Sequence, residues 1–185
     1  FIGSIPSGLI IGKTFFNTDV RQYGSKNIGA TNTYRVIGLK AALPVFLCDA
    51  LKGAAGVVLL SSYGPMYMIL GGIIAMMGHN WSIFLGFKGG RGVATGLGVL
   101  IALSPLVALI CFLVWGVIVY FTKLVSLGSI VAAALVPVLM YITGESYWFV
   151  GFGGLAALFV IVRHWDNIKR LLAGNELKVE RIKKD

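Results

Sequence analysis

Two cations and three glycines stand together near the middle of the chain, in the order Lys88, Gly89, Gly90, Arg91 and Gly92. Glycines let backbone N–H groups approach a ligand closely, and the cations beside them attract anions, which is how phosphate-binding nests are built. The segment lacks the GxxxxGK[ST] pattern of a nucleotide P-loop. It is equally typical of a flexible basic turn between two membrane helices, so other polar segments must decide between these interpretations.

A second polar segment, residues 17–40, mixes hydroxyl and amide side chains with glycines and cations. Its candidates for binding phosphate or carbonyl oxygens are Ser25, Asn27, Thr31, Asn32 and Arg35. Hydroxyl, amide and guanidinium groups all donate hydrogen bonds to such oxygens. The alternative is a polar re-entrant loop whose side chains form hydrogen bonds only with the backbone of the loop itself.

Two further groups of polar residues flank the last apolar runs. Ser126 stands at the start of one run and is a candidate site residue. Helix capping would explain a serine at this position equally well. His164 and Asn167 follow another run at i,i+3 spacing, so they are neighbours on one helix face. A solvated helix end is the alternative for this pair. Asp49 and Lys52 have the same spacing inside an apolar run, which predicts an ion pair of either structural or functional importance.

The composition places the chain in a membrane. Hydrophobic residues make up 57% of it and charged residues only 12%, which is too little polar surface for a soluble domain. The net charge of +9 would suggest nucleic-acid binding in a soluble protein. Because the cations lie in loops between apolar runs, we expect them to set membrane orientation instead, with no nucleic-acid partner.

Charge placement also predicts the number of spans. Residues 93–121 would form a helix of about 43 Å, longer than the roughly 30 Å hydrocarbon core of a bilayer, and Ser104 followed by Pro105 offers a break. With that break there are seven spans, and nearly all Lys and Arg residues fall on one side. The positive-inside rule then puts the amino terminus outside and the tail in the cytoplasm.

We therefore expect an all-α polytopic membrane protein with seven transmembrane helices and partly re-entrant polar loops on the cytoplasmic face. Residues 1–185 form a single domain in this interpretation, with 171–185 as a basic cytoplasmic tail. The first apolar run is short for a span, so we expect further residues before Phe1. Most importantly, the seven spans bring four separate polar segments to one side of the membrane, which favours a shared anion site.

Several segments resemble, in order, the motifs of the PlsY family, the bacterial acyl-phosphate:glycerol-3-phosphate acyltransferases. They are GSKNIGATN from Gly24, DxxKG from Asp49, GH from Gly78, FKGGRGVAT from Phe87 and HxxNIxRL from His164. The resemblance covers nearly the whole chain. Lys26 and Arg91 stand where the family motifs have glycine and lysine.

The resemblance implies a multi-pass enzyme of the bacterial inner membrane whose active site faces the cytoplasm. It would transfer a fatty acyl group from acyl phosphate to the 1-hydroxyl of glycerol 3-phosphate, giving lysophosphatidic acid and phosphate, the first step of phospholipid synthesis. It also implies no cofactor and no metal, membrane lipids as neighbours, and acyl phosphate supplied by a separate acyl-carrier-protein phosphate acyltransferase. The His-x4-Asp motif of acyl-CoA-using glycerolipid acyltransferases is absent from the sequence.

Candidate residues follow from the motifs and from the chemistry of two anionic reactants, whose repulsion the protein must screen. We expect Ser25, Asn27, Lys88, His164 and Asn167 to be catalytic. We expect Thr31, Asn32, Arg35, Gly89, Gly90, Arg91 and Ser126 to bind substrate. In this hypothesis the cations and the Gly89 and Gly90 amides hold phosphates, and His164 or a substrate phosphate oxygen accepts the hydroxyl proton.

The alternative is a membrane transporter of phosphate esters or other anions, because broken helices with glycine-rich loops also line transport sites. A transporter predicts polar groups near the middle of the membrane. In this sequence they cluster at one face, and only Asp49 and Lys52 lie deeper.

Overall fold

The computed structural model describes residues 1–182, which form α-helices joined by turns and short 3₁₀ helices, with no strand among them. The predicted all-α class is therefore confirmed. The α-helices are, in chain order, α1 Ser7–Phe16, α2 Ala30–Val36, α3 Leu39–Val58, α4 Pro65–Asn80, α5 Val93–Leu103, α6 Pro105–Thr122, α7 Val125–Ile142, α8 Tyr147–Arg163 and α9 Trp165–Leu172.

Ser104 divides the long apolar run into two helices, as the sequence predicts. α5 ends at Leu103 and α6 begins at Pro105, a favourable first helical residue because it has no N–H to leave unbonded. The Ser104 hydroxyl donates to the Glu145 carboxylate at 2.5 Å. This bond ties the α5–α6 turn to the turn between α7 and α8 at the same end of the bundle.

Four helical segments are long and apolar enough to cross a membrane, and they span Leu39–Tyr63, Pro65–Leu85, Pro105–Thr122 and Val125–Ile142. The pair α8 and α9, bent by 62°, makes a fifth if it counts as one span. Helices α1 and α5 are apolar but shorter. Length and composition thus give four or five spans within residues 1–182, and the predicted seven would need α1 and α5 to cross as well.

Helices α3 and α5 lie unusually close because each has a glycine at their contact. A Cβ atom at Gly53 would lie 2.0 Å from the Thr95 carbonyl oxygen, and one at Gly98 would lie 1.8 Å from the Ala50 carbonyl oxygen. Small residues at such contacts are the usual means of close helix packing in membranes. The contact holds α5, and therefore the glycine-rich segment just before it, firmly against α3.

A buried ion pair anchors the first residues of the chain to α3. Lys52 Nζ donates to Asp49 Oδ1 at 2.7 Å, as the i,i+3 spacing predicts, and to the Ile5 carbonyl oxygen at 2.9 Å. The Ser7 hydroxyl donates to the same carboxylate at 3.0 Å. Because both charges are buried, these partners offset the loss of water. The geometry of the pair accounts for a structural role.

The chain after α9 returns to the bundle. The Val179 N–H donates to the Lys123 carbonyl oxygen and the Ile182 N–H donates to that of Arg35, both at 2.9 Å. These bonds lay the tail across the end of the bundle where α2, α7 and α9 meet. The last residues of the predicted tail, 183–185, lie outside the described part of the chain.

Candidate active site

A cavity of about 410 Å³ opens at the end of the bundle covered by the tail. Residues from all four predicted polar segments line it, so the structure brings these segments together. The predicted site residues that line the cavity are Ser25, Asn27, Thr31, Asn32, Arg35, Arg91, Ser126, His164 and Asn167. Lys88, Gly89 and Gly90 are absent from the lining formed by the described residues.

Asn32 holds the first polar loop in shape. Its Oδ1 accepts the Ser25 N–H at 2.8 Å. Its Nδ2 donates to the carbonyl oxygens of Val20, Tyr23 and Asn27 at 2.8, 3.2 and 2.9 Å. These bonds use both N–H groups of the side chain, so in this structure Asn32 has no donor left for a substrate, and its binding role stays a prediction. Its hydrogen-bonding capacity goes into the loop, and it positions the loop residues that face the cavity.

Ser25 has a hydroxyl whose hydrogen-bonding capacity is unused. Its Oγ is buried, and no residue in 1–182 gives it a hydrogen-bond partner. A buried hydroxyl without a partner costs free energy unless a ligand or water supplies one. Gly24, with φ of +59°, allows the tight turn before it, and a Cβ there would lie 2.4 Å from Asn32 Oδ1. The loop therefore presents the Ser25 hydroxyl to the cavity on a rigid support.

The glycine-rich segment contributes a single side chain to the cavity. The Gly89 N–H donates to the Asn80 carbonyl oxygen at 3.2 Å and the Gly90 N–H donates to that of His79 at 2.9 Å. The end of α4 therefore occupies both amides in this structure, which gives no support to the prediction that they bind phosphate. Lys88 is exposed outside the cavity, so the structure does not support its predicted catalytic position.

Gly90 is needed for close approach instead. A Cβ there would lie 2.0 Å from His79 Nε2, so only glycine lets the segment pack on the end of α4. On its other side, the Arg163 guanidinium donates to the Gly89 and Gly90 carbonyl oxygens at 3.0 to 3.3 Å. With its N–H and C=O groups both bonded, this part of the segment is a rigid support for Arg91.

Arg91 is a half-buried cation in the wall of the cavity. Its guanidinium has no hydrogen bond to any group that the structure describes, although it lines the cavity. Burial lowers the pKa of Arg91 to about 10, and the nearby Glu176 carboxylate opposes this shift while neighbouring arginines add to it. Arg91 is therefore still charged at neutral pH, and its donors are available to an anion.

Arg35 supplies a second cation and also secures the tail. Its Nε and Nη2 donate to the Lys178 and Leu177 carbonyl oxygens at 2.9 and 2.8 Å. Burial lowers the pKa of Arg35, and the Glu176 carboxylate opposes that shift. Since guanidinium has five N–H donors, these two bonds leave others for a ligand.

The last three predicted residues meet beside a carboxylate that sequence reasoning missed. Glu176 Oε1 accepts the Ser126 hydroxyl at 2.9 Å and Asn167 Nδ2 at 2.5 Å, and Oε2 accepts Arg170 Nε at 2.7 Å. His164 lies next to them, with Nδ1 2.7 Å from the Val160 carbonyl oxygen. Capping does not explain Ser126, because the side chain forms no cap bond in α7.

The neutral His164 ring is held in one tautomer. A carbonyl oxygen only accepts, so Nδ1 carries the proton and Nε2 keeps a lone pair. Burial lowers the pKa of His164 to about 4; the bond to Val160 opposes this shift and the Arg91 and Arg163 charges add to it. The imidazole is therefore neutral at neutral pH and can accept a proton or a hydrogen bond.

Glu176 and Arg163 contact the candidate site residues but were not assigned to the site from the sequence. Arg163 adjoins His164, but nothing local shows that it reaches a segment more than 70 positions away. The sequence does contain a signal for Glu176, because it is an acidic residue near cations at the end of the region that carries the motifs.

The cavity changes character along its length. Away from the arginines it is lined by apolar side chains of α3, α4, α6 and α8, namely Phe46, Met76, Phe112, Trp115 and Phe152. One end therefore suits an anion and the other an apolar chain. A ligand that combines a phosphate with a fatty chain fits both ends at once.

Comparison with known proteins points in the same direction. A family model described as glycerol-3-phosphate acyltransferase matches residues 1–174. The glycerol-3-phosphate acyltransferase of Fusobacterium nucleatum is 46% identical over 180 residues, covering 96% of this chain and 93% of the relative. Glycerol-3-phosphate acyltransferase 2 of Moorella thermoacetica is 49% identical over 179 residues, covering 96% and 92%.

Two solved structures share the fold. The crystal structure of PlsY, an integral membrane glycerol 3-phosphate acyltransferase, in its glycerol 3-phosphate form superimposes with a TM-score of 0.91 at 39% identity, covering 96% of this chain and 90% of that one. The lysophosphatidic acid form gives a TM-score of 0.88 at 38% identity, covering 96% and 89%. This chain is thus similar to a membrane enzyme along almost its whole length.

Proposed function

The chain belongs to the glycerol-3-phosphate acyltransferase family, and from this we propose that it moves an acyl group from acyl phosphate to the 1-hydroxyl of glycerol 3-phosphate. The products are lysophosphatidic acid and phosphate. The observation that carries the proposal is the two-ended cavity, in which Arg35 and Arg91 lie at one end and aromatic side chains at the other. Acyl phosphate has the same two parts.

Positioning and charge neutralisation are the main tasks of the protein in this reaction. The carbonyl of acyl phosphate is already activated, because phosphate is a good leaving group. The remaining barrier comes from bringing two anions together and stabilising the developing oxyanion. We assign the phosphate groups to Arg35 and Arg91, and the acyl-phosphate oxygens to Ser25, Asn27 and Thr31.

The attacking hydroxyl needs a proton acceptor. His164 Nε2 has a lone pair, and Asn167 and Ser126 lie beside it. We assign these three residues to the glycerol 3-phosphate side of the cavity. In the step itself the glycerol oxygen bonds to the acyl carbon, the bond to the phosphate oxygen breaks, and the hydroxyl proton passes to His164.

The direct test uses purified protein in lipid vesicles with palmitoyl phosphate and glycerol 3-phosphate. We expect lysophosphatidic acid and phosphate in equal amounts, and no product when palmitoyl-CoA replaces the acyl phosphate. Equal rates with palmitoyl-CoA would contradict the proposed donor. Uptake of glycerol 3-phosphate into the vesicles without acyl transfer would instead support the transporter hypothesis.

For the membrane arrangement we propose seven crossings in the bacterial inner membrane, with α1 and α5 as short spans, the amino terminus outside and the cavity facing the cytoplasm. The excess of cations at the cavity end supports this orientation. We further propose that a separate enzyme makes acyl phosphate from acyl carrier protein and that residues 1–185 work as one domain.

Thiol labelling tests this orientation. In a variant without Cys48 and Cys111, we place a single cysteine either at Glu180, on the tail, or at Tyr63, in the α3–α4 turn. A membrane-impermeant maleimide should label Tyr63→Cys in intact bacterial cells and Glu180→Cys only after the cells are broken. The reverse pattern would show that the cavity faces outward.

A further inference from the structure

Glu176 is a buried carboxylate in the wall of the cavity, and neither the motifs nor the proposed chemistry assigns it a task. Its side chain is only 3% exposed. Both of its oxygens are occupied, Oε1 by Ser126 and Asn167 and Oε2 by Arg170. The ion pair with Arg170 offsets the cost of burying the charge. A carboxylate held this firmly controls the groups that bond to it.

Its first effect is on Asn167. An ionised carboxylate only accepts hydrogen bonds, so the NH2 group of Asn167 must face Glu176 and Oδ1 must face away. Asn167 Oδ1 is buried, and nothing in the described part of the chain donates to it. Buried acceptors in native structures are nearly always paired, so this oxygen awaits a donor from a ligand.

Its second effect is on Ser126. A hydroxyl has one proton, and Ser126 donates it to Glu176 Oε1. The lone pairs of Ser126 are then its only remaining capacity. His164 Nε2 is an acceptor for an independent reason, because its Nδ1 proton faces the Val160 carbonyl oxygen. Three neighbouring side chains that line one cavity wall therefore all present acceptors.

We infer that Glu176 is a positioning residue that turns Ser126 and Asn167 into hydrogen-bond acceptors for the hydroxyl groups of the acyl acceptor. Three acceptors suit a vicinal diol and repel phosphate oxygens, which also only accept. The middle hydroxyl of glycerol 3-phosphate gives its one proton to Asn167 Oδ1, beside the Ser126 lone pairs, and the terminal hydroxyl gives its proton to His164. The phosphate lies toward Arg35 and Arg91. This inference rests on the proposed function and adds how the glycerol part is recognised.

A carboxylate is needed because both of its oxygens must accept. A glutamine at position 176 has one oxygen and one NH2 group. If its oxygen faces Ser126 and Asn167, its NH2 group faces the Arg170 donor. If it is reversed, the NH2 group forces Ser126 and Asn167 to change their donor and acceptor roles. The first orientation places two donors against each other, and the second removes the acceptors from the cavity wall.

The experiment compares glycerol 3-phosphate with 3-hydroxypropyl phosphate, which keeps the terminal hydroxyl and lacks the middle one. A site built to bond a substrate hydroxyl rejects an analogue without it. We expect the wild-type protein to prefer glycerol 3-phosphate by about 100-fold in kcat/KM, and Glu176→Gln to reduce that preference about tenfold, chiefly by raising KM for glycerol 3-phosphate. Glu176→Asp, which keeps two acceptor oxygens, should restore much of it.

Glu180→Gln is the matched control. It makes the same chemical change on the same tail at an exposed side chain, and the preference should equal that of the wild type. The ratio is measured within one membrane preparation, so the amount of folded protein cancels. An unchanged ratio in Glu176→Gln, with only a lower rate, would overturn the inference and reduce Glu176 to a structural residue.

A second variant covers the case in which Glu176→Gln does not accumulate. Asn167→Ala removes the acceptor itself and should reduce the same preference about tenfold, whereas an unchanged preference would also overturn the inference. Turnover of glycerol 3-phosphate by the wild-type protein is measured first. If the wild-type protein does not turn over glycerol 3-phosphate, the proposed function is wrong. If turnover is normal and the variants keep the wild-type preference for glycerol 3-phosphate, only this inference is wrong.

Discussion

Replacing Arg91 with methionine is expected to lower kcat/KM for acyl transfer by about 10³-fold while the protein still accumulates in the membrane. Methionine fills a similar volume and keeps the apolar stem but removes the charge. Arg91 is half-buried in the cavity wall, and its guanidinium bonds to none of the groups within residues 1–182. All of its donors are therefore available to substrate oxygens.

The size of the effect follows from the surroundings of the guanidinium. Charge-assisted hydrogen bonds are roughly twice as strong as neutral ones, and a site that excludes water screens them little. Gly89 and Gly90 are fixed to α4 and to Arg163, so the cation is positioned before the substrate arrives. Losing one preorganised donor to a developing oxyanion typically lowers kcat by 10²–10³-fold. Because Arg91→Met removes a full charge, we expect a loss at the upper end of that range.

Lys88→Met is the informative comparison, because the sequence alone assigns catalysis to Lys88 as well. It removes a cation from the same segment, but from an exposed side chain outside the cavity. The structure predicts a loss at least tenfold smaller than that of Arg91→Met. Initial rates in membranes with equal amounts of protein decide the matter. If Lys88→Met were the more damaging change, the geometry described for this segment would be wrong.

Replacing Asn32 with aspartate is expected to lower activity by at least about 100-fold and to lower the midpoint of thermal unfolding. Asp keeps an oxygen for the Ser25 N–H but puts a second oxygen where Nδ2 now donates to three carbonyl oxygens. Those carbonyls then lose their donor and face a negative charge instead. A buried carboxylate among acceptors costs several kcal/mol, which is enough to rearrange the loop that carries Ser25.

Asn17→Asp is the matched control for this prediction. Asn17 belongs to the same polar segment, is exposed, and has no side-chain hydrogen bond within the described residues. Its φ of +46° is one that both Asn and Asp adopt more readily than other side chains. We expect activity and thermal stability close to those of the wild type. Normal turnover in Asn32→Asp would show that the bonds made by Asn32 do not determine the loop.

The features that the sequence predicts best are those set by local composition. Apolar runs form helices wherever they occur, because a backbone in lipid must satisfy its own hydrogen bonds. Pro105 breaks the long run for a reason contained in one residue, and Asp49 pairs with Lys52 because one helical turn separates them. The polar segments also identified nine residues of the cavity lining, since they lie in loops and at helix ends.

The site predictions that the structure does not support concern groups whose partners are set by the folded chain. The Gly89 and Gly90 amides are free in any local description, but α4 and Arg163 occupy the N–H and C=O groups of both residues in the folded protein. Asn32 has a side chain of a type that binds phosphate oxygens, yet its hydrogen bonds go to its own loop. Lys88 and Arg91 are both cations of the same glycine-rich segment, so the sequence does not distinguish them. The direction of the chain after α4 leaves Lys88 exposed and places Arg91 in the cavity wall.

The sequence alone determined the helical membrane class, the break at Ser104 and the four polar segments. Tertiary structure decided which polar atoms remain free, and it introduced Glu176, which the motifs left without a task. The physical reason is the range of the forces. Hydrophobicity and helix propensity act through neighbouring residues, whereas a hydrogen bond such as that from Arg35 to Lys178 joins atoms 143 positions apart. Only the folded chain brings such partners together.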